Sequence, residues 1–143
     1  MRGSFIAGIT VVLLGMHSSA GGEGLERPQA DVIEIASIGT DGVQRATVVL
    51  DSYSYNPNHL IVHAGKPVEL TLASVTTIIP HNFIVKDPQS QLSIEEDVEA
   101  GKSVKITFTP MTPGRFPIYC DKRLWPLPSH REKGMEGILE VKE

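Results

Sequence analysis

From Asp31 to the end of the chain, short runs rich in valine, isoleucine and threonine are interrupted repeatedly by glycine, proline, asparagine or aspartate. "VIEIASI" (32–38) alternates in part, and "GTDG" (39–42) is a turn signal in which Asp41-Gly42 suits positive φ. "QRATVVL" (44–50), "HLIVHAG" (59–65), "PVELTLA" (67–73), "HNFIVKD" (81–87), "KSVKITFTP" (102–110) and "RFPIYC" (115–120) follow as strand candidates. "GILEVKE" (137–143) closes the chain with Ile138, Leu139 and Val141 in an alternating tail. Strand-sized runs at this spacing predict an all-β sandwich or barrel. One short acidic piece, "LSIEEDV" (92–98), reads as helical. At 143 residues the chain suits a single domain.

Residues 1–20 read as a secretory signal. Arg2 supplies a positive start, "FIAGITVVLLGM" is an apolar core too short to span a bilayer comfortably, and "SSA" offers small residues for cleavage after Ala20. An uncleaved anchor is the alternative. Residues 21–30, "GGEGLERPQA", read as a flexible leader, and residues 31–143 as the domain, with no membrane span in the mature chain. The expected location is periplasmic or secreted. Losing residues 1–20 removes Arg2 alone among the charged side chains. Twelve basic groups then face 17 acidic ones, a net −5. That balance argues against a nucleic-acid binder, which carries a basic surplus.

The chain has one cysteine, Cys120. Exported proteins meet oxidising conditions, where cysteines pair. A lone thiol is buried and inert, intermolecular, or chemically used. Its neighbourhood favours use. "YCDKRLWPLPSHREKGMEG" places His130 and Met135 downstream of Cys120, and His81 stands in the "PHNFIV" run. A thiolate, two imidazoles and a weak thioether make up the ligand set of a mononuclear blue-copper site. The thiolate bonds strongly to Cu(II) and also suits Cu(I), imidazole is acceptable to both, and a distant thioether favours the reduced state. His59 and His63 are four apart on a strand, where they share a face but stand about 13 Å apart. They are expected to be surface histidines rather than a metal pair. Met111, in a "TPMTPG" turn, is assigned to packing.

These segments resemble the cupredoxin family, and most closely its plastocyanin-like members, from about Ala46 to Glu143. "NPNHLIVHAGKPVELTL" is similar to the family's early strand pair, "PHNFIV" to the segment with the first histidine ligand, and "TPGRFPIYC" to the strand delivering the cysteine. "HREKGMEGILEV" is similar to the second histidine, the methionine and the last strand. The resemblance implies a Greek-key β-sandwich binding one Cu(I)/Cu(II) ion through His81, Cys120, His130 and Met135. It also implies that Asn82 ties the two ligand loops together by hydrogen bonds. The departure is the spacing. The family pattern C-x2-H, H-x4-M becomes C-x9-H here with H-x4-M kept, so seven residues have been added within "DKRLWPLPS". Pro126 and Pro128 stiffen that loop.

The function implied is a monomeric one-electron carrier between redox proteins such as a cytochrome or oxidase. The second histidine would be its electron port, with Lys122, Arg123, Leu124, Trp125 and Leu127 around it as docking surface. From Asp121 to Met135 the charges sum to +2, against −7 for the rest of the mature chain. A basic rim of this kind would steer an acidic partner. The alternatives are a copper chaperone or storage protein, or an accessory subunit of a respiratory complex. An enzyme is not expected, because multicopper catalysis needs further histidine pairs, and a dinuclear oxidase centre needs two cysteines.

Overall fold

The computed structural model describes residues 30–143. The signal-sequence and leader expectations therefore lie outside the described residues, apart from Ala30. Eleven strands follow in order: β1 (Ile33–Ile35), β2 (Ser37–Ile38), β3 (Gln44–Asp51), β4 (Ser54–Asn56), β5 (His59–His63) and β6 (Val68–Ser74), then β7 (His81–Asp87), β8 (Leu92–Val98), β9 (Ser103–Phe108), β10 (Gly114–Tyr119) and β11 (Glu136–Lys142). They form two sheets. One has the order β1-β5-β11-β10-β7-β8, and the other β2-β3-β6-β9 with β4 added beside β3. The chain crosses between sheets after β1, β4, β5, β6, β8 and β9, the interleaved connectivity of a Greek-key sandwich. Among the described residues no helix is long and apolar enough to cross a membrane.

The core follows the period-two pattern. Along β3, Ala46, Val48 and Leu50 point inward; along β6, Val68, Leu70 and Leu72 do; along β7, Phe83 and Val85 do. Tyr55, Leu60, Val62, Ile118 and Leu139 complete it, all fully buried. The buried polar Gln44 is satisfied: its side chain receives His63 N–H at 2.6 Å and donates to His63 O at 2.9 Å.

The segment expected to be helical, "LSIEEDV", is strand β8. Leu92, Ile94 and Val98 face the core while Ser93, Glu95 and Asp97 face solvent. The alternation outweighs the low strand propensity of the acidic residues, because Glu95 and Asp97 sit on the wet face and only Glu96, half-buried, shares the register of the core side chains. Strand β4 was not expected. It is three residues long, too short to show a period, yet it delivers the buried Tyr55. His59 is not a surface residue: it is buried, and its Nε2 meets Glu140 Oε2 at 2.7 Å. His63 is half-buried at the other end of β5. Met111 is exposed and is not part of the buried core.

Asn58, just before β5, ties the start of β1 to β11 in the ligand-bearing sheet. Its backbone oxygen accepts Ile138 N–H at 2.7 Å, and its side-chain oxygen accepts Val32 N–H at 2.7 Å. Gly137 lies so close to the Asn58 backbone oxygen that a Cβ there would stand 2.5 Å from it. Gly137→Ala should therefore push β11 from β5 and destabilise the metal-free protein by about 1–3 kcal/mol, as overpacking does. Urea unfolding reads this, and an unchanged midpoint would contradict the close approach.

Candidate metal centre

The hairpin of β10 and β11 ends on the pair Tyr119 and Glu136, so the residues just beyond, Cys120 and Met135, face each other. Cys120 N–H donates to Met135 O at 3.2 Å. Strand β7 lies on the other side of β10, paired through Ile84 and Tyr119, and begins with His81. Three elements thus deliver donors to one end of one sheet. His81, Cys120 and His130 are all buried, and their donor atoms lie within 4.8 Å of one another. Cys120 Sγ stands 3.3 Å from His130 Nδ1, and the two imidazole rings are 5.0 Å apart between centroids. Met135 is fully buried directly beside them, its N–H bonded to His130 O at 2.9 Å. Gly134 precedes it at φ +93°, a conformation open to glycine and rarely to other residues, which turns the chain back toward Met135.

Asn82 organises the cluster as expected. Its N–H approaches Cys120 Sγ at 3.4 Å. Its side chain donates to Asp121 Oδ1 at 2.7 Å and accepts Asp121 N–H at 3.1 Å. The buried Tyr55 hydroxyl donates to Asn82 O at 2.6 Å, which anchors the residue from the opposite sheet.

The added residues leave this geometry almost untouched. His130 N–H donates to Lys122 O at 2.9 Å, closing the chain across the insertion. Measured along that bond, Cys120 is followed by Asp121, Lys122 and then His130, which restores the short family spacing. Residues 123–129 project outward as an excursion. It is braced by Leu127 N–H to Leu124 O at 2.8 Å and by Ser129 N–H to Glu132 Oε2 at 2.6 Å. Leu124, Trp125 and Leu127 are exposed, Trp125 at 80%, so they do not roof the site. With Ile78 and Pro80, Leu124 and Leu127 border a groove of about 390 Å³ that reaches His130. The basic groups there are partly engaged: Lys122 pairs with Asp97 at 2.7 Å, and Arg123 with Glu132.

Sequence reasoning missed Tyr53. It lies in the two-residue turn between β3 and β4, and its ring stands edge-on to His130 at 5.0 Å. Nothing in "DSYSYN" distinguishes Tyr53 from Tyr55. Only the fold shows that one reaches the core and the other the ligand loop.

The electrostatics suit a cation. Burial, and then the nearby His130, push His81 down from 6.5 to about 4. Burial, followed by Lys133 and Lys122, lowers His130 as well. Burial raises the Cys120 thiol. Both imidazoles are thus neutral near pH 7, the form in which they ligate. Both ring nitrogens of His81 are buried without a hydrogen-bond partner. Buried polar groups normally have partners. A soft cation accepting one nitrogen removes part of that debt, so the donor set fits a copper ion. The depressed value has a measurable consequence in the metal-free protein. Between pH 6.5 and about 4 the unfolded chain takes up a proton that native His81 refuses. Stability should therefore fall as pH drops through that window. His81→Gln should flatten the fall, read by denaturant unfolding at stepped pH, whereas superimposable profiles would refute the assignment.

Comparison with known proteins agrees with this geometry. The family profile described as Cupredoxin-like domain matches residues 9–130. Among solved structures, the fold is similar to the metal-binding domain of the Cu(I)-exporting P-type ATPase CopA of Streptococcus pneumoniae D39. The TM-score is 0.60 at 23% identity, covering 78% of this chain and 96% of that one. It is also similar to dithionite-reduced auracyanin from Roseiflexus castenholzii, with a TM-score of 0.59 at 18% identity, over 76% and 99% of the two chains. The Cu-containing nitrite reductase of Thermus scotoductus SA-01 gives 0.52 at 18% identity, over 78% of this chain and 28% of that one. At these identities the likeness is one of fold. Comparison with curated proteins gave no match. With the profile spanning most of its length and the three donors gathered at one end of the sandwich, the chain belongs to the cupredoxin-like family.

Proposed function

We propose that this protein is an exported one-electron carrier, active in the periplasm or outside the cell, with residues 1–20 as its signal sequence. The observation that carries this reading is the donor cluster. His81, Cys120 and His130 lie within 4.8 Å of one another, on strand ends and loops braced by Asn82 and by the His130–Lys122 bond. Bound there, copper supplies a Cu(I)/Cu(II) couple. The residues hold its donors in one arrangement, exclude water through burial, and so limit the rearrangement that accompanies electron gain or loss. Met135 supplies the thioether beside them.

The same end of the molecule offers a docking face. Leu124 and Leu127 are exposed around the groove over His130, with Lys122, Arg123 and Lys133 at its edge, and the exposed Trp125 stands on the same loop. An acidic redox protein with a small apolar contact, such as a cytochrome or oxidase, suits it, and the weak binding of small interfaces suits turnover. Copper trafficking is the second reading. It is favoured by the likeness in fold to a metal-binding domain of a Cu(I)-exporting ATPase. A carrier retains copper through repeated oxidation and reduction, whereas a chaperone releases Cu(I) to an acceptor.

The visible and EPR spectra with one equivalent of Cu(II), followed by voltammetry, test the reading. An intense thiolate-to-copper band and a reversible couple are expected. Cys120→Ala should abolish the band while the sandwich remains folded, since its core is the alternating strands. A band that persists in the variant would refute the copper–thiolate site, and irreversible loss of copper on reduction would favour trafficking.

Met135→Leu should keep copper bound and raise the reduction potential, because loss of a weak donor disfavours the oxidised ion. The two side chains are close in volume, so packing should cost less than about 1.5 kcal/mol. A lowered potential would show that Met135 is not a thioether ligand.

A further inference from the structure

The backbone of His130 is well held. Its N–H bonds to Lys122 O, and its carbonyl accepts Met135 N–H and Lys133 N–H. The imidazole ring is a separate matter. Its Nδ1 edge faces Cys120 Sγ and His81. Against it, across the insertion's base, stands Tyr53. The tyrosine comes from the opposite sheet, ring edge to ring face at 5.0 Å and 74°. Tyr53 is in turn gripped by Lys133, which belongs to the same ligand loop. The Lys133 ammonium donates to the Tyr53 hydroxyl at 3.0 Å and lies 4.1 Å from the ring centroid.

The backbone of Tyr53 makes the arrangement conspicuous. It has φ +59°, in the left-handed region. Glycine or asparagine adopts that conformation readily in a two-residue turn, and an aromatic residue does not. A bulky ring kept at such a position points to a task for the ring. The task is local, since Tyr53 is only partly buried at the edge of the core.

We propose that Tyr53, clamped by Lys133, is a positioning residue that locks the His130 imidazole in its ligand orientation. The proposal rests on the metal-centre reading above. It also explains how a ligand loop with seven extra residues presents its histidine in a single pose. The backbone bond to Lys122 sets where His130 starts, and the tyrosine sets where its ring points. Lys133 closes the device within one turn, because it follows His130 by three residues and its N–H bonds to His130 O.

Three variants test it: Y53N, Y53F and K133M. Asparagine tolerates the left-handed backbone, so Y53N removes the ring without adding strain. In metal-free Y53N, NMR relaxation of the His130 side chain should show microsecond–millisecond exchange that the wild type lacks. In the copper-loaded form a second Cu(II) EPR species should appear. Release of Cu(I) to the chelator bathocuproine disulfonate should quicken roughly two- to tenfold, the scale set by loss of an aromatic pair. Y53F keeps the ring and should restore the single EPR species. A merely structural role would lower the unfolding midpoint without these spectroscopic changes. Wild-type His130 relaxation and copper release in Y53N would overturn the proposal, as would a Y53F as loose as Y53N. Should Y53N not fold, K133M decides, because it removes the cation and keeps the stem. Increased His130 exchange supports the lock, and wild-type exchange overturns it. A wild-type protein without a thiolate band would strike the copper reading instead, and would leave the metal-free NMR comparison standing.

Discussion

Asn82 is the residue on which the metal end of this molecule depends. It follows His81 in β7, and its backbone N–H points at Cys120 Sγ. Its side chain makes a reciprocal pair with Asp121, the residue after the cysteine. One residue therefore sets the first histidine, the thiol and the start of the ligand loop relative to one another. Tyr55 anchors Asn82 O from the second sheet, so the relation between ligands is also a relation between sheets. Buried hydrogen bonds of this kind are costly to leave half-made, and that cost is what makes the geometry definite.

The rest of the architecture serves that end. The β10–β11 hairpin brings Cys120 opposite Met135, and β7 sits next to β10, so three of the four side chains lie at or beside a strand terminus, while His130 is tied back by Lys122. Donors at strand ends inherit the rigidity of the sheet. Burial does the chemical preparation: it keeps His81 and His130 neutral and leaves the nitrogens of His81 without a protein partner. At the start of β5 the same sheet treats a histidine differently. His59 is also buried, but Glu140 meets its Nε2, and that hydrogen bond lowers the Glu140 carboxyl. Glu140 thus gives His59 the partner that the nitrogens of His81 lack.

Much of this was legible in the sequence, and the failures have physical causes. Runs such as "QRATVVL" and "PVELTLA" declared themselves as strands because one face of each had to be apolar. "LSIEEDV" misled because its charge was weighed above its period, although Leu92, Ile94 and Val98 carry the same alternation. The four proposed ligands could be named because rare residue types stood at a familiar spacing, and the fold brings three of their donors together with the methionine alongside. His59 and Tyr53 were misjudged or missed because their roles rest on partners far along the chain, Glu140 and His130. No local pattern encodes such a pairing. The closure of the long loop was hidden for the same reason: a backbone bond between Lys122 and His130 leaves no trace in side-chain identity.

That closure changes what the inserted segment is in evolutionary terms. A chain that pinches itself shut at Lys122 and His130 separates two kinds of selection. Inside the pinch, length and stereochemistry are constrained by the donors. Outside it, Arg123 to Ser129 hang from a closed base, so residues there can be gained, lost or exchanged without lengthening the path between cysteine and histidine. The molecule thus carries a segment free to change in length beside a cluster of donors that is not. It resembles the arrangement by which antibody loops diversify over a fixed framework. Substitutions around Trp125 would alter the exposed surface and leave the donor cluster as it was.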